Sequence, residues 1–371
     1  MSEAIRKLLT IMQAKGGSDL YITAQCPPSL RVHGEVAPIG STPLTPEQTE
    51  ALATSIMNDR QRQEFADTHE LNMALSYAEI GRFRVNIFRQ RGSVGMVIRT
   101  IPTEIPTLEQ LRLPDVFKDI VMSKRGLVIM VGATSSGKST SLAAMINHRN
   151  EHHAGHIITI EDPIEFIHPH KRSIVTQREV GTDTLDFQHA LKNTLRQAPD
   201  VILIGEIRDR ETMEHALTFA ETGHLCMATL HANNANQALE RIINFFPEEA
   251  HAQARLNLAL NLRAILSQRL VKTKDGGRTA AIEILLNTPR VSDLIFQWDI
   301  PGIKEAMAKG ENYGMQTFDQ HLVRLWQEGR IAEDEALRHA DSMNDVRLRI
   351  KVAKGQTDEG DEGSGLELKL H

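Results

Sequence analysis

Apolar residues near the N-terminus recur at the spacing of an amphipathic helix. Ile5, Leu8, Leu9 and Met12 would share one face of such a helix, and residues 49–57 offer a second helical segment. Strand-like runs follow these segments over the rest of the first hundred residues. The pattern therefore predicts a small N-terminal domain of mixed α and β structure, covering residues 1–100.

The clearest of the strand-like runs extends from Arg82 to Phe88. Positions 83, 85 and 87 are apolar, while Arg82, Arg84 and Asn86 occupy the alternate positions. Successive side chains of a strand point to opposite faces, so this alternation predicts a half-buried strand with two arginines on its exposed face.

Prolines then interrupt the chain at positions 102, 106 and 114. Proline fixes its own backbone dihedral and removes a hydrogen-bond donor, so we expect an irregular linker over residues 101–114. Beyond it, four apolar runs of strand length alternate with helical segments. The runs are Leu127–Val131, Ile157–Ile160, Val201–Ile204 and Leu225–Leu230. This alternation predicts an α/β domain with a parallel sheet and crossover helices.

The C-terminal third has a helical pattern. Residues 250–271 carry an apolar stripe that includes Leu256, Leu260 and Leu270, and we expect further helices to about residue 352, which completes a second domain at 115–352. Residues 353–371 are rich in Gly, Asp and Glu, a composition that predicts a disordered acidic tail.

Composition narrows the classes of partner. The chain has 371 residues, 41% of them hydrophobic, and a net charge of −6 from 42 basic and 48 acidic side chains. This charge gives no electrostatic case for nucleic acid and favours a protein partner or a small ligand. The two cysteines, Cys26 and Cys226, are isolated and predict neither a disulfide framework nor a zinc site. No apolar run has the length to span a bilayer, so we expect a cytoplasmic protein without direct membrane insertion.

The strongest motif lies between the first buried strand and the helix that follows it. Residues 132–139 fit G-x-x-x-x-G-K-[ST], which closes backbone N–H groups around phosphate oxygens; Lys138 would reach the terminal phosphates and Ser139 would bind Mg²⁺. The nucleotide-binding segment comprises Gly132, Ala133, Thr134, Ser135, Ser136, Gly137, Lys138, Ser139 and Thr140. It predicts that the protein binds ATP.

Acidic residues follow two of the other buried strands. Glu206 comes shortly after Val201–Ile204, and Glu161, Asp162 and Glu165 come at or after the end of Ile157–Ile160. Ligands of open parallel sheets bind outside the carboxyl ends of the strands, so these carboxylates are candidates for a magnesium ligand and a general base. Spacing alone does not assign the two roles. The less favoured alternative for Asp162 is that it forms only a turn with Pro163.

Histidine is less informative, because the 16 histidines are scattered along the chain. His231 is distinguished by its position just after the run Leu225–Leu230, where it and Thr229 would be placed to sense a γ-phosphate. A purely structural histidine is an equally good interpretation.

These motifs together resemble the secretion-ATPase superfamily and, within it, the twitching-motility retraction ATPases of type IV pili, over residues 1 to about 350. The N-terminal signatures are Gly17–Leu20, Pro27-Pro28, Gly81–Asn86 and Arg99–Pro102. The nucleotide signatures are a Walker A loop at 132–139, an Asp box at 159–165, a Walker B strand at 201–206 and a His box at 223–231. A Walker A loop alone would indicate only a nucleoside-triphosphatase, whereas the ordered set is specific.

The resemblance implies a homo-hexamer whose subunits join a PAS-like N-terminal domain to a RecA-like ATPase domain with C-terminal helices. It implies ATP and Mg²⁺ as ligands, and Glu165 as the catalytic base. Glu206 would be the acid at the magnesium site, His231 would contribute to catalysis, and Arg82, Arg84 and Arg99 would be the arginines that close over the nucleotide. The implied partners are a sister retraction ATPase and the inner-membrane platform protein of the pilus machine, which would hold the cytoplasmic ring at that membrane.

Three departures from the family pattern refine this expectation. The four-cysteine metal module of pilus-assembly and type II secretion members is absent. The principal retraction ATPase has Ala-Ile-Arg-Asn-Leu-Ile where residues 290–295 here are Arg-Val-Ser-Asp-Leu-Ile, and its Walker A loop has Pro and Gly where Ala133 and Ser135 occur. These differences favour an accessory paralogue that assists pilus retraction. The alternatives are a binding module that reinforces the sister ATPase with little turnover of its own, and a type II secretion or DNA-uptake motor.

Overall fold

The computed structural model describes residues 3–32, 34–102 and 104–355, which form two compact units as far as they are described. Unit 1 comprises Met1–Ile105 with Ile164–His168, and unit 2 comprises Pro106–Pro163 with Pro169–His371. The disordered tail predicted at 353–371 lies outside the described residues from position 356 onward.

The described residues of unit 1 form a six-stranded antiparallel sheet and three helices. Its elements are α1 (Glu3–Ala14), β1 (Asp19–Ile22), β2 (Ser29–Val32), β3 (Glu35–Pro38), α2 (Pro46–Thr54), α3 (Asp59–Thr68), β4 (Glu70–Tyr77), β5 (Gly81–Gln90) and β6 (Ser93–Ile101). The strand order is β3-β2-β1-β6-β5-β4.

The helices of unit 1 cover an apolar core built on the predicted pattern. Ile5, Leu9 and Met12 of α1 are fully buried, which confirms the predicted N-terminal helix. The helix predicted at 49–57 occupies Pro46–Thr54 instead, because Thr45 and Gln48 form a capping box that starts it earlier. In β5, residues 83, 85 and 87 are buried and the alternate positions are only partly covered, as the alternation predicts.

Unit 2 is a three-layer α/β structure. Its first ten elements, in chain order, are α4 (Val116–Val121), β7 (Gly126–Val131), α5 (Lys138–His152), β8 (His156–Glu161), β9 (Ile174–Glu179), α6 (Phe187–Thr194), β10 (Val201–Ile204), α7 (Arg210–Glu221), β11 (Leu225–Leu230) and α8 (Ala235–Ile243). There follow α9 (His251–Asn261), β12 (Leu262–Lys272), β13 (Arg278–Leu286), α10 (Pro289–Gln297), α11 (Ile300–Ala308), α12 (Phe318–Gln327), α13 (Glu333–His339) and α14 (Met343–Ala353).

The sheet of unit 2 has the order β13-β12-β7-β11-β10-β8-β9, and β13 alone runs antiparallel to its neighbour. Alternate residues of β7 enter two separate apolar layers: Leu127 and Ile129 pack with α7 and α8, while Val128 and Met130 pack with α4 and α5. All four predicted strands are present, and the predicted parallel sheet is confirmed. The nucleotide-binding segment begins where β7, a central strand, ends.

The helical prediction for residues 250–271 is wrong in its second half. Helix α9 ends at Asn261, Leu262 is already extended, and residues 262–272 form β12 between β7 and β13. A strand buried on both faces has no polar alternation, so its leucines can coincide with helical spacing. Strand β13 likewise interrupts the series of helices predicted to continue to residue 352.

Candidate active site

The phosphate-binding segment forms a tight turn between β7 and α5. Gly132 and Gly137 have φ values of 153° and 87°. A β-carbon at position 132 would lie 2.5 Å from the carbonyl oxygen of Gln268, and one at position 137 would lie 2.7 Å from Gln268 Nε2. Both positions therefore require glycine, for conformation and for space. Ser135, between them, also adopts the left-handed region, with φ 63°.

Gln268 of β12 holds this turn from the neighbouring strand. Its side chain is almost fully buried; Nε2 donates to the Ser136 carbonyl at 2.8 Å, and Oε1 accepts from Ser141 Oγ of α5 at 2.7 Å. One amide thus bridges the turn and the helix that follows it. Gln268 was not predicted from the sequence, although the polar triplet Ser267–Arg269 between two apolar pairs was a usable signal.

Lys138 lies at the start of α5 and is buried. Its Nζ donates to the carbonyl oxygens of Gly132 and Ala133 at 2.7 and 2.8 Å. Burial lowers the pKa of Lys138, and the negative charge of Glu206 partly opposes that shift. Ala133, Thr134, Ser135 and Ser139 are exposed, while Ser136 Oγ is buried without a hydrogen-bond partner in the described part of the chain.

Glu206 and His231 meet at the carboxyl ends of the neighbouring strands β10 and β11. Glu206 Oε1 lies 3.1 Å from His231 Nε2, and Glu206 Oε2 accepts from Arg208 Nε at 2.7 Å. Arg208 also lies 3.5 Å from Asp162, and hydrogen bonding to Glu206 is the main cause that raises the pKa of Arg208. Thr229 donates its hydroxyl to the Gly205 carbonyl, which fixes the ends of the two strands to each other.

Two cavities adjoin the phosphate-binding segment within unit 2. One, of about 420 Å³, is bordered by Gly132 and Ala133 on one side and by His231 and Gln237 on another. The second, also about 420 Å³, lies beside Gly137 and Thr140. It is lined by apolar Leu111, Leu113, Leu270 and Ala280 together with Arg112, Arg278 and Arg330. The segment therefore has a polar cavity at its beginning and a mixed apolar and basic one at its end.

The predicted arginines lie in unit 1. Arg84 of β5 is directly opposite Arg99 of β6, and each has a carboxylate partner: Arg84 NH2 lies 3.0 Å from Glu165 Oε1, and Arg99 Nε lies 2.7 Å from Asp19 Oδ1. The hydrogen bond to the buried Asp19 is the main cause that raises the pKa of Arg99. Arg82 lies on the same strand, opposite Ile101.

The predicted site residues thus fall into two groups. Unit 2 brings Gly132–Thr140 together with Glu206 and His231, whereas unit 1 holds Arg84 against Glu165 and carries Arg82 and Arg99 on the same pair of strands.

Among the described residues, no cluster of three or more His, Cys, Asp or Glu side chains would hold a metal ion. No described helix is both long and apolar enough to cross a bilayer.

Comparison with known proteins places this geometry in context. The family described as Type II/IV secretion system protein matches residues 2–344. The Type IV pilus ATPase PilU of Pseudomonas aeruginosa is 61% identical over 347 residues, which are 93% of this chain and 91% of that protein. The Type IV pilus retractation ATPase PilT of the same species is 44% identical over 336 residues, or 91% of this chain and 98% of that protein.

Solved structures agree with the sequence matches. The crystal structure of the pilus retraction motor PilT with bound ADP has a TM-score of 0.86 and 40% identity, covering 93% of this chain and 98% of that one. The Legionella pneumophila ATPase DotB has a TM-score of 0.74 and 26% identity, covering 91% and 95%. These matches confirm the predicted fold class, a RecA-like domain preceded by a smaller PAS-like α+β domain.

Proposed function

The chain belongs to the Type II/IV secretion system protein family and, within it, to the type IV pilus ATPases, and we propose that it couples hydrolysis of Mg²⁺-bound ATP to pilus retraction. The observation that carries the proposal is the meeting of the turn 132–139, Lys138, Glu206 and His231 at one edge of the parallel sheet of unit 2.

Nucleotide binding follows from the chemistry of that edge. The first N–H groups of α5 have no acceptor within the helix and carry its partial positive charge, so they are suited to phosphate oxygens. The ammonium of Lys138 adds a full charge within a few ångströms of the same turn. We assign the base and ribose to the cavity beside Gly137, where Leu111 and Leu270 offer apolar contact and Arg112 offers a planar cation.

The residues present also fit a magnesium ion. Ser139 supplies an exposed hydroxyl and Glu206 a carboxylate, which are hard oxygen donors; Mg²⁺ binds through few protein ligands and keeps water and phosphate oxygens as the others. A bound Mg²⁺ would neutralise charge on the phosphates. We assign His231 to hold Glu206 in place and to sense the terminal phosphate, since its Nε2 lies 3.1 Å from Oε1 of that carboxylate.

Lys138→Ala tests the phosphate-site assignment. The variant should lose at least about 100-fold in ATP turnover, because the developing phosphate charge loses its nearest cation. Turnover is measured on the purified protein with Mg²⁺ and ATP, next to Lys309→Ala, which removes an exposed lysine that pairs with Glu305 of α11. Wild-type turnover in Lys138→Ala would refute the assignment.

Glu165→Gln tests the proposed catalytic base. The substitution keeps the size of the side chain and an acceptor for Arg84, but removes the carboxylate that would accept a proton from water. We expect ATP to bind with wild-type affinity and turnover to fall at least about 100-fold. Loss of nucleotide binding instead would make Glu165 a structural residue or a ligand.

We further propose that the protein acts as a homo-hexamer that assists a sister retraction ATPase at the inner-membrane platform protein of the pilus. The 61% identity to a type IV pilus ATPase supports a place in the pilus machine. The altered segment 290–295 lies on α10, where Val291 and Leu294 are buried but Arg290 and Asp293 are exposed, so part of the change falls on the surface that a partner would meet. ATP turnover of the protein alone and mixed with the sister ATPase, together with retraction in cells lacking it, tests this role.

A further inference from the structure

The loop that follows His231 is held at two points by the β12–β13 hairpin. Residues 231–234 connect β11 to α8, whose N-cap is Asn234. Arg269 of β12 donates to the Asn233 carbonyl at 3.4 Å, and the backbone N–H of Ala235 donates to Glu283 Oε1 of β13 at 2.7 Å. The position of this loop therefore depends on two side chains of a hairpin that lies on the opposite side of β7 from β11.

Glu283 is the better buried of these two anchors. It is 2% exposed, and the same Oε1 that accepts from Ala235 also accepts from Ser267 Oγ at 2.9 Å. Burial raises the pKa of Glu283 to about 7, and its two hydrogen bonds oppose that shift. A carboxyl group is costly to bury, and its hydrogen bonds offset part of that cost.

What Glu283 fixes is the start of α8. The Ala235 N–H is one of the helix N-terminal donors that have no intrahelical acceptor, and a carboxylate there also complements the positive end of the helix dipole. Removing the acceptor would leave a buried donor unsatisfied and release the loop between Ala235 and His231. His231 in turn contacts Glu206 at 3.1 Å, so movement of the loop reaches the phosphate site.

Strand β12 also anchors the phosphate-binding turn. Ser267 and Gln268 are adjacent in β12: Ser267 binds Glu283, and Gln268 binds Ser136 of the phosphate turn. Neighbouring residues of a strand point to opposite faces of the sheet, so β12 joins the turn on one face to the start of α8 on the other. Strand β12 thus sets the position of the turn relative to the His231 loop.

We propose that Glu283 is a positioning residue for ATP hydrolysis, which acts by holding the start of α8 and thereby the loop that presents His231 to Glu206. The inference rests on the proposed function, because it assigns Glu283 to the hydrolytic step of that site. We expect loss of Glu283 to lower kcat and to leave nucleotide binding unchanged, since the nucleotide-binding turn has its own anchor in Gln268.

Two substitutions at Glu283 separate positioning from packing. Glu283→Met keeps the approximate shape and removes every acceptor, and we expect kcat for ATP to fall at least 10-fold while KM and ADP affinity stay within 3-fold. Glu283→Gln keeps an acceptor for Ala235 and should retain at least one third of the wild-type kcat. Ser267→Ala should lower kcat 2- to 5-fold, and combined with Glu283→Met it should add nothing further, because Ser267 acts through Glu283.

Glu335 of α13 provides the matched control. It is another buried carboxylate, and it accepts from the backbone N–H of Lys272 in β12 at 2.8 Å. Among the described contacts it has none with the loop 231–234. Glu335→Met should lower the melting temperature and leave kcat per folded protein within 2-fold of wild type. Thermal unfolding of each variant supplies the folded fraction.

Any one of three results would overturn the inference. Folded Glu283→Met could have a wild-type kcat, it could lose only KM or ADP affinity, or Glu335→Met could lose as much kcat as Glu283→Met. If Glu283→Met does not fold, a wild-type kcat in Ser267→Ala overturns it instead. Failure of the proposed function is distinguished by Lys138→Ala, which would then turn over ATP like wild type. In that case the role of Glu283 in hydrolysis would be refuted as well.

Discussion

The phosphate edge of unit 2 and the arginine face of unit 1 hold their charged groups in different ways. Lys138 is buried and bonded to backbone carbonyls, and the turn around it is fixed by the more deeply buried Gln268. Arg84 and Arg99 lie on partly exposed strand positions and are paired with single carboxylates. Buried hydrogen bonds are costly to break, whereas exposed ion pairs contribute little to folding. Substitutions at the first region should therefore cost stability and activity together, whereas substitution of Arg84, whose pair with Glu165 is partly exposed, should cost activity alone.

Gln268→Leu should show the largest combined effect. It leaves the Ser136 carbonyl and the Ser141 hydroxyl without their buried partner, which should cost about 2–4 kcal/mol of unfolding free energy. The freed turn should also lower kcat/KM for ATP at least about 10-fold, because displacement of the phosphate-binding groups weakens transition-state contacts. Denaturant titration and steady-state turnover measure the two effects.

Gln316→Leu is the control for this comparison. Gln316 is also buried, donates to the Ile282 carbonyl at 2.9 Å and accepts from Arg324, and it borders neither of the cavities beside the turn. Its loss should reduce stability by a similar amount with little effect on turnover of the folded protein. If both glutamine variants lost activity equally, the turn would not depend on its own anchor.

The sequence predicted the parts of unit 2 that have a local signature. The turn at 132–139 was found from its glycines and lysine, and the four strands β7, β8, β10 and β11 from short apolar runs between helices. The carboxyl ends of those strands then indicated Glu206 and His231 as neighbours, since parallel strands end at a common edge. Their contact at 3.1 Å follows from the strand order β11-β10, which the periodicity did not determine.

The residues that anchor the site were missed for a physical reason. Strand β12 is covered on both faces, and its polar residues Ser267 and Gln268 lie between apolar residues whose spacing also fits a helix. Glu283, in β13, interrupts another apolar run. Each of these polar side chains is satisfied by a partner distant in sequence, and a single sequence does not indicate which partner that is. The helix predicted through residue 271 therefore concealed the side chains that hold the turn.

Acidification should weaken unit 2 through His321. Burial, and after it Arg324 and Arg330, lowers the pKa of His321 to about 3 from its usual 6.5, and Nδ1 accepts from the Ile282 N–H at 2.8 Å. The folded protein keeps the ring neutral while the unfolded chain protonates it below pH 6.5, so this contribution is complete above that pH and is lost as pH falls toward 3. Between pH 7 and pH 4 the loss should be at most about 3 kcal/mol.

His321→Gln isolates that contribution, because glutamine keeps an acceptor for Ile282 but does not titrate. The difference in unfolding free energy between wild type and this variant should shift in favour of the variant as pH is lowered. Glu283 changes stability in the opposite sense, because its raised pKa makes protonation favour the folded state between pH 7 and 4.5. The comparison is therefore made between variants at each pH. A constant difference would show that the pKa of His321 is the same in the folded and unfolded chains, and that burial does not keep the ring neutral.

The smallest change in stability should come from Arg84→Ala, in unit 1. The ion pair with Glu165 is partly exposed, with 26% and 47% of the two side chains accessible, so its loss should cost less than about 1 kcal/mol and become undetectable in high salt. Arg89→Ala breaks a comparable pair with Glu50 at 3.3 Å in the same unit and serves as the control. If Arg84 closes over the nucleotide and stabilises phosphate charge, as the family resemblance implies, ATP turnover should fall at least about 10-fold in Arg84→Ala and remain unchanged in Arg89→Ala. A stability loss like that of Gln268→Leu would instead make Arg84 a structural residue, and the contrast between the two regions would disappear.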